Sequence, residues 1–223
     1  MIHLYGLVQE LQHLPAVPGL DGAPLERRQI EGFELVVSCS TRTRSEVSEE
    51  ALLTHAKVVE ELMGRSSAVL PARFDRAFAS EEELSDAVKT KAPGLESGLT
   101  RVRGCVEFGL RVLARESRPD DSSQASGSDY MRARLAETIE RDRLSKELHA
   151  PLARLSRASA RFGGAFDDLL HAAYLVPEEN AAVFRDHVRG VEAAHPGLAL
   201  VCTGPWPPYT FADDREETRE LSA

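Results

Sequence analysis

The chain has 223 residues, 42% of them apolar and 28% charged, so it can bury one large core or two small ones. Its formal net charge of −9 argues against nucleic acid as a partner, because phosphate binding needs clustered lysine and arginine, and against attraction to anionic membranes. No run is long and apolar enough to predict a membrane span, and the first residues do not have the pattern of a signal peptide.

The first half of the chain predicts four strands. Residues 3–8 are apolar and alternating, and a loop rich in proline and glycine follows them. Residues 27–30 and 33–40 predict a hairpin around a Glu-Gly turn. Residues 68–74 predict a short strand that ends in a proline turn.

Two helices are predicted between and after these strands. Ser48 is a good N-cap for the first, and Gly64 ends it. Ser80 and Glu83 form the pattern of a capping box at the start of the second. We expect Pro93-Gly94 to break this second helix, with a further helix running to about residue 103.

The second half begins with an alternating strand over residues 105–113 and a polar, serine-rich linker over residues 117–128. A long helix is then predicted from about residue 129 to residue 161, with a kink or division at Pro151. Its apolar positions recur at helical spacing, which is typical of a core-facing side. They are Met131, Leu135, Ile139, Leu144, Leu148, Leu152 and Leu155.

Residues 166–176 predict one strand, Pro177 opens another helix, and residues 198–202 predict the last strand. The order strand, long helix, strand, helix, strand is close to a split βαβ, ferredoxin-like pattern. We therefore predict an α+β fold of two domains: residues 1–103 form a mixed α/β domain, and residues 104–212 form the second, with a flexible insertion at 116–128. Residues 213–223 are polar and acidic and are predicted to be a tail.

Three cysteines, Cys39, Cys105 and Cys202, lie far apart in or beside apolar stretches. Their odd number and spacing predict buried free thiols in a reducing cytoplasm.

The segment from Gly204 to Phe211 holds the only tryptophan and three prolines. Its prolines exclude a helix or a central strand, yet its aromatic side chains carry a large apolar area. The segment either covers the protein's own core or presents an apolar face to a partner. Because it directly follows the last strand, we expect Trp206 and Tyr209 to fold back over the sheet, so that Trp206→Ala would cost about 3–5 kcal/mol.

No motif of a phosphate loop, nucleophile elbow or zinc site is present, so no catalytic, cofactor-binding or metal-binding residue is predicted and no cofactor is implied. The histidines show no paired spacing on a helical face. They are His3, His13, His55, His149, His171, His187 and His195.

Two charged residues lie inside apolar strand patterns. Arg73 follows Leu70-Pro71-Ala72, and Glu107 lies between Val106 and Phe108. A buried charge needs a partner, so one hypothesis is an ion pair between Arg73 and Glu107, whose disruption would cost about 3–5 kcal/mol. The alternative is that each side chain is exposed on an open face of a sheet.

Five segments together resemble the gas vesicle protein F/L family (GvpF/GvpL), over essentially the whole chain. They are Tyr5-Gly6-Leu7-Val8, Val69-Leu70-Pro71-Ala72-Arg73-Phe74, Gly104-Cys105-Val106-Glu107-Phe108, Ala173-Tyr174-Leu175-Val176 and Thr203-Gly204-Pro205-Trp206-Pro207-Pro208-Tyr209-Thr210-Phe211. The last is the most specific. The chain departs from the family at Asp75, where a glycine is common. This departure affects the expected conformation of the local turn more than the resemblance itself.

The resemblance implies a non-enzymatic accessory protein of gas vesicles with a modified ferredoxin-like C-terminal domain. It implies binding to the hydrophobic major shell protein, protection of that protein from aggregation during nucleation, and a place as a minor vesicle component. The location would be the gas vesicle, and the cytoplasm before assembly. Other accessory proteins are further candidate partners, whereas nucleic acid and membrane are not.

Two other readings stay open at this point. One is a small-molecule-binding or catalytic ferredoxin-like domain, which would show a concave site with perturbed titratable groups. The other is a scaffold whose long helix docks another accessory protein.

Overall fold

A computed structural model describes residues 1–40, 48–114, 127–163 and 168–212. These residues fall into two compact units, Met1–Glu107 with the segment from Pro205 onward, and Phe108–Gly204. Among the described residues, no helix is both long and apolar enough to cross a bilayer.

The first unit is built on an antiparallel sheet in the order β2-β3-β1-β4, with β5 also pairing with β1. The strands are β1 (Ile2–Gln9), β2 (Leu25–Ile30), β3 (Phe33–Cys39), β4 (Ala68–Pro71) and β5 (Ala77–Phe78). A short 3-10 turn at Leu20–Gly22 interrupts the loop before β2. The four strands predicted from alternation are therefore present, because one or both of their faces are buried.

Two helices cover opposite faces of this sheet. Helix α1 (Glu49–Met63) packs Val58, Val59 and Leu62 against a core that includes Val8 and Val69. Neighbouring strand residues point to opposite faces, so Leu7 and Leu70 face helix α2 (Glu81–Val102) on the other side.

Both predicted N-caps are confirmed. The Ser48 hydroxyl accepts a hydrogen bond from the Ala51 amide at 3.1 Å, and the Ser80 hydroxyl accepts one from the Glu83 amide at 3.2 Å. The Glu83 carboxylate accepts from the Ala79 amide at 2.7 Å, one residue before the cap. The helix starts are thus fixed by local sequence.

The predicted break at Pro93 is wrong, because α2 continues through it to Val102. Pro93 is exposed, while Leu84, Val88, Leu99 and Val102 on the other side are buried against the sheet. A proline inside a helix costs about 3 kcal/mol, and burial of four apolar side chains on both sides of it offsets that cost.

The second unit has the element order β6 (Cys105–Ala114), α3 (Gly127–Arg154), β7 (Ala158–Arg161), β8 (Asp168–Pro177), α4 (Ala181–Ala194) and β9 (Leu198–Trp206). Its four strands form a sheet in the order β7-β8-β6-β9. The aromatic centre of its core stacks Phe108 on Phe184 at 5.0 Å between ring centroids, with Tyr174 at 5.3 Å from Phe184.

Helix α3 is shorter than predicted at its C-terminal end, and β7 was missed. Residues 158–161 pair with β8 in the register Ala158↔Leu175 to Arg161↔Ala172, so strand pairing prevails over the helical pattern there. Pro151 lies inside α3, near its end, and does not divide it.

The prediction that the apolar side of α3 faces the core is wrong for the first half of this helix. Met131, Leu135 and Ile139 are 67%, 62% and 61% exposed, whereas Leu148 and Leu152 are buried. Among the thiols, Cys105 is buried as predicted, but Cys39 and Cys202 are exposed. Most of the predicted insertion and the whole predicted tail lie outside the described residues, and Gly127 and Ser128 already belong to α3.

Candidate functional site

The first unit contains an apolar cleft of about 110 Å3 between its sheet and α2. Its floor consists of buried aliphatic side chains from β1, β4 and α2. They are Leu4, Leu7, Leu70, Leu84 and Val88. Ala87, Leu95 and Phe78 also line the cleft and are partly exposed, so the cleft opens to solvent.

The charged residues that line the cleft have one sign. Arg73, Arg76 and Lys91 are exposed residues of the lining. Among the described residues that line the cleft, none carries a negative charge. The cleft is therefore a locally positive, apolar feature on a chain whose net charge is −9.

The floor depends on the close approach of β1 and β4 at Gly6. A Cβ atom on Gly6 would lie 2.7 Å from the Leu70 carbonyl oxygen, closer than side-chain atoms normally come. Gly6 thus allows the strand pairing that carries Leu7 and Leu70 into the cleft.

One wall of the cleft is the C-terminal segment, through Tyr209 and Ala212. The Glu107 carboxylate holds this segment, since it accepts hydrogen bonds from the Thr210 amide at 2.8 Å and from the Thr210 hydroxyl at 2.7 Å. Arg101 of α2 donates to the Phe211 carbonyl at 3.1 Å. Charged partners make these hydrogen bonds stronger than neutral ones, so the wall is fixed from both sides.

The prolines shape the same segment. Pro207 and Pro208 have no amide hydrogen, and their carbonyl oxygens accept from the Tyr209 amide at 2.8 Å and the Phe211 amide at 3.2 Å. Tyr209, which lies within these tight turns, lines the cleft. Burial, together with the nearby charge of Glu60, raises the pKa of Tyr209 to about 12, so its hydroxyl keeps its proton near neutral pH.

A sequence model described as gas vesicle synthesis protein GvpL/GvpF matches residues 1–213. The chain belongs to the GvpL/GvpF family. It is 27% identical to gas vesicle protein F2 of Halobacterium salinarum over 218 residues, covering 95% of this chain and 92% of that protein. It is 36% identical to gas vesicle protein L of a Streptomyces species over 149 residues, covering 55% of each chain.

Solved structures show the same fold. The crystal structure of the gas vesicle protein GvpF from Anabaena superposes with a TM-score of 0.79 at 20% identity, covering 95% of each chain. GvpF from Microcystis aeruginosa gives a TM-score of 0.76 at 20% identity, covering 95% of this chain and 98% of that one. The mixed α/β architecture with two sheets is thus shared with solved GvpF structures.

Several of the segments that carry the family resemblance contribute to one place in this GvpL/GvpF chain. Leu70, Pro71 and Arg73 line the cleft, as does Tyr209. Glu107 holds the segment that contains Tyr209. Leu7 of the first segment lines the cleft too. The sequence alone did not bring these segments together, because Leu7 and Tyr209 are 202 positions apart and the segments meet only through the sheet and α2.

Tyr174 lies in the second unit and not at the cleft. It is fully buried, and its hydroxyl is 2.8 Å from His149 Nδ1. Burial raises its pKa, so the phenol stays protonated and neutral. Its surroundings are those of a core side chain.

The premise of a buried ion pair between Arg73 and Glu107 is wrong for Arg73, which is exposed. Glu107 is partly buried, and its two carboxylate oxygens accept from Thr210. The cost predicted for breaking a buried pair is therefore not expected, while pairing of the two charges stays a prediction.

The prediction that Trp206 and Tyr209 cover the core is also wrong in part. Trp206 is 46% exposed and Tyr209 is 37% exposed, whereas Phe211 is only 7% exposed. Strand β9 continues through Pro205 to Trp206, which the proline allows because β9 is the edge strand of its sheet. Phe211 is thus the buried anchor of the segment.

Sequence reasoning missed a buried pair of histidines in the first unit. His3 Nε2 lies 2.9 Å from His55 Nδ1, and His55 Nε2 lies 2.9 Å from the Ala72 carbonyl oxygen. A carbonyl only accepts, so His55 Nε2 donates to it. When both rings are neutral, His55 Nδ1 carries no proton and accepts from His3 Nε2.

The surroundings of the pair favour that neutral state. The rings of Tyr5 and Phe74 lie within 5.8 Å of both histidines, centroid to centroid. Burial, with the charge of His55 as a smaller cause, lowers the pKa of His3 to about 4, and burial lowers that of His55. The one sequence signal was that both histidines stand at otherwise apolar positions.

The histidine pair does not extend into a metal site. Within residues 1–40, 48–114, 127–163 and 168–212, no three histidine, cysteine or acidic side chains come together as a metal ion would require. Neither histidine lines the cleft.

Proposed function

We propose that this chain is a non-enzymatic accessory protein of gas vesicles that binds the hydrophobic major shell protein through the cleft of its first unit. It limits aggregation of the shell protein during nucleation and stays with the vesicle as a minor component, after acting in the cytoplasm before assembly. The observation that carries the proposal is an open apolar cleft in a member of the GvpL/GvpF family, with one wall formed by the proline-aromatic segment (Gly204 to Phe211).

The physical chemistry of the task fits these features. A shell subunit that faces gas on one side exposes apolar surface before assembly and tends to aggregate. A binder with an apolar cleft lowers that exposed area, and a net charge of −9 keeps the complex dispersed.

A non-enzymatic role is supported by where the shifted titratable groups lie. An active site gathers several such groups in a cleft, whereas among the described residues only Tyr209 both lines the cleft and has a shifted pKa, and the two histidines with lowered pKa lie outside the lining. The cleft is also smaller than the roughly 300–1,000 Å3 of ordinary ligand pockets, which disfavours a small-molecule or catalytic site in the cleft itself.

We also propose that the two units correspond to the two domains expected from the sequence, except that residues 205–212, expected in the second domain, belong to the first unit. We propose further that the second is a modified ferredoxin-like domain. The support is its element order β-α-β-β-α-β with the sheet order β7-β8-β6-β9.

The test is co-expression of the chain with the major shell protein, followed by co-purification and measurement of the shell protein left in the supernatant after centrifugation. We expect a complex and at least a several-fold rise in dispersed shell protein. An unrelated acidic protein of similar size serves as the control for charge alone. No complex and no change in dispersed shell protein would contradict the proposal.

A second role is favoured by the exposed side of α3, defined by Met131, Leu135 and Ile139. These residues recur every four positions, so they lie on one side of the helix, and all three are more than half exposed. Such a side suits a helix from another gas vesicle accessory protein.

Leu135→Glu with Ile139→Glu is expected to abolish co-purification of that accessory protein while shell-protein capture is retained. Leu53→Glu is a matched control, since Leu53 is a 63% exposed leucine on α1. Equal capture by the double variant and the control would sink the second role.

A further inference from the structure

We propose that the cleft recognises a single large apolar side chain of the partner, flanked in the partner's sequence by carboxylates, and that Arg76 and Lys91 receive those carboxylates. This inference rests on the proposed function, because it names what the same cleft selects. Three observations carry it: the size of the cleft, the chemistry of its floor and the charge of its mouth.

The size of the cleft selects a side chain over a larger ligand. An apolar protein cavity of about 150 Å3 holds one benzene molecule, and this cleft has about 110 Å3. It therefore has room for one apolar side chain, and an aromatic ring would lie partly in its open mouth. A partner that binds this way has a buried anchor at the centre of the contact, which is where most binding energy resides in protein interfaces.

The floor offers the anchor no polar group of a side chain. Leu4, Leu7, Leu70, Leu84 and Val88 supply only aliphatic surface, so a polar or charged anchor would lose its hydration without a replacement. Tyr209 adds an aromatic side chain to the lining. The floor thus discriminates by hydrophobicity, as an anchor pocket does.

The mouth discriminates by charge. Arg76 on the loop before β5 and Lys91 on α2 are both exposed, and Arg73 adds a third cation. Charge complementarity adds specificity and association rate to the contact more than it adds affinity. A shell segment that carries carboxylates on either side of its apolar side chain is favoured over a neutral or basic one.

The variants that test the inference are chosen to keep the fold. Ala87→Phe fills the cleft from α2, and Ala92→Phe makes the same change on α2 outside the lining. Lys91→Glu reverses a charge at the mouth, and Lys89→Glu reverses one two residues away on the same helix, outside the lining. Circular dichroism and urea unfolding verify that each variant is folded.

Two probes are used at about 0.15 M salt, where distant charges are screened. One is the major shell protein in the co-expression assay. The other is a dye-labelled, end-blocked peptide with the core Asp-Phe-Glu, compared with the cores Asp-Ala-Glu and Asn-Phe-Gln. We expect Asp-Phe-Glu to bind at least tenfold more tightly than Asp-Ala-Glu. The affinity for Asp-Phe-Glu should fall at least tenfold in Ala87→Phe and less than twofold in Ala92→Phe.

Lys91→Glu should lower the affinity for Asp-Phe-Glu several-fold and leave the affinity for Asn-Phe-Gln within about twofold. Lys89→Glu should change neither affinity. Capture of shell protein that persists in Ala87→Phe overturns the cleft inference and shows that this chain binds the shell protein at a surface other than the cleft. Peptide binding that follows this pattern, without any capture of shell protein, supports the cleft inference and contradicts the proposed function.

Other occupants give their own results. Octanoate binding that exceeds peptide binding and disappears in Ala87→Phe identifies a small amphiphile and overturns the inference. Dimerisation that disappears in Ala87→Phe identifies a second copy of the chain and overturns it equally. No peptide binding by the unaltered chain also overturns it.

Discussion

Phe211→Ala lowers the free energy of unfolding by about 3–5 kcal/mol, as large truncations in a core do. Phe211 is 7% exposed, and its backbone carbonyl accepts from Arg101, so the ring is both buried and held in place. Trp206→Ala is expected to cost only about 1–2 kcal/mol, because 46% of Trp206 is already exposed. The measurement is urea unfolding followed by far-ultraviolet circular dichroism.

The contrast between these two variants is the informative quantity. Tryptophan fluorescence does not serve here, since Trp206 is the only tryptophan and one variant removes it. Phe211→Leu is the matched control and should recover most of the loss, because it keeps an apolar side chain in the site. Equal costs for Phe211→Ala and Trp206→Ala would contradict the assignment of Phe211 as the anchor.

Acidification is expected to destabilise the chain through the histidine pair. The pKa of His3 is about 4 in the fold and 6.5 in the unfolded chain, so the unfolded state binds more protons between these values. The contribution to stability is therefore complete above pH 6.5 and is lost as the pH falls towards 4. A shift of this size corresponds to about 3 kcal/mol, and His55, whose pKa is also lowered, adds in the same direction.

The measurement is the free energy of unfolding at several pH values between 7.5 and 4 (roughly the window set by the two states). His3→Phe keeps a ring beside Tyr5, Phe74 and His55 while removing one titrating group. The slope of its free energy of unfolding against pH should be smaller than that of the unaltered chain, by the equivalent of about one bound proton. A curve that moves down in parallel, with no change in slope, would show that His3 does not titrate in this way.

The local elements were largely predictable. Strands β1 and β3 and the caps at Ser48 and Ser80 depend on residues close in sequence, and they are confirmed, although the burial along the two strands does not alternate. Family membership was also evident, because the proline-aromatic segment and four shorter segments occur in order along the chain.

The errors share one physical cause, which is that a pattern shows which side of an element is apolar but not what lies against it. The helical spacing of Met131, Leu135 and Ile139 is regular, yet these side chains are exposed. Pro93 is tolerated because α2 has buried side chains both before and after it. Residues 158–161 form β7 because β8 lies beside them.

The candidate site shows the same division. The residues of the cleft come from β1, β4, α2 and the C-terminal segment, and the two histidines of the core are 52 positions apart. No spacing rule connects such positions, because the sheet register and helix packing bring them together. The charge on Glu107 was noticed in the sequence, but its partner Thr210 is 103 positions away.

The sequence by itself determined the family, the main helices and strands, and the importance of the segment from Gly204 to Phe211, because each of these depends on local composition or order. The tertiary structure decided that Phe211 and not Trp206 is buried, that Glu107 holds Thr210, and that Tyr209 walls an apolar cleft with a positive mouth. These facts depend on which surfaces meet, and burial and charge acquire their energetic meaning only once those surfaces are in contact.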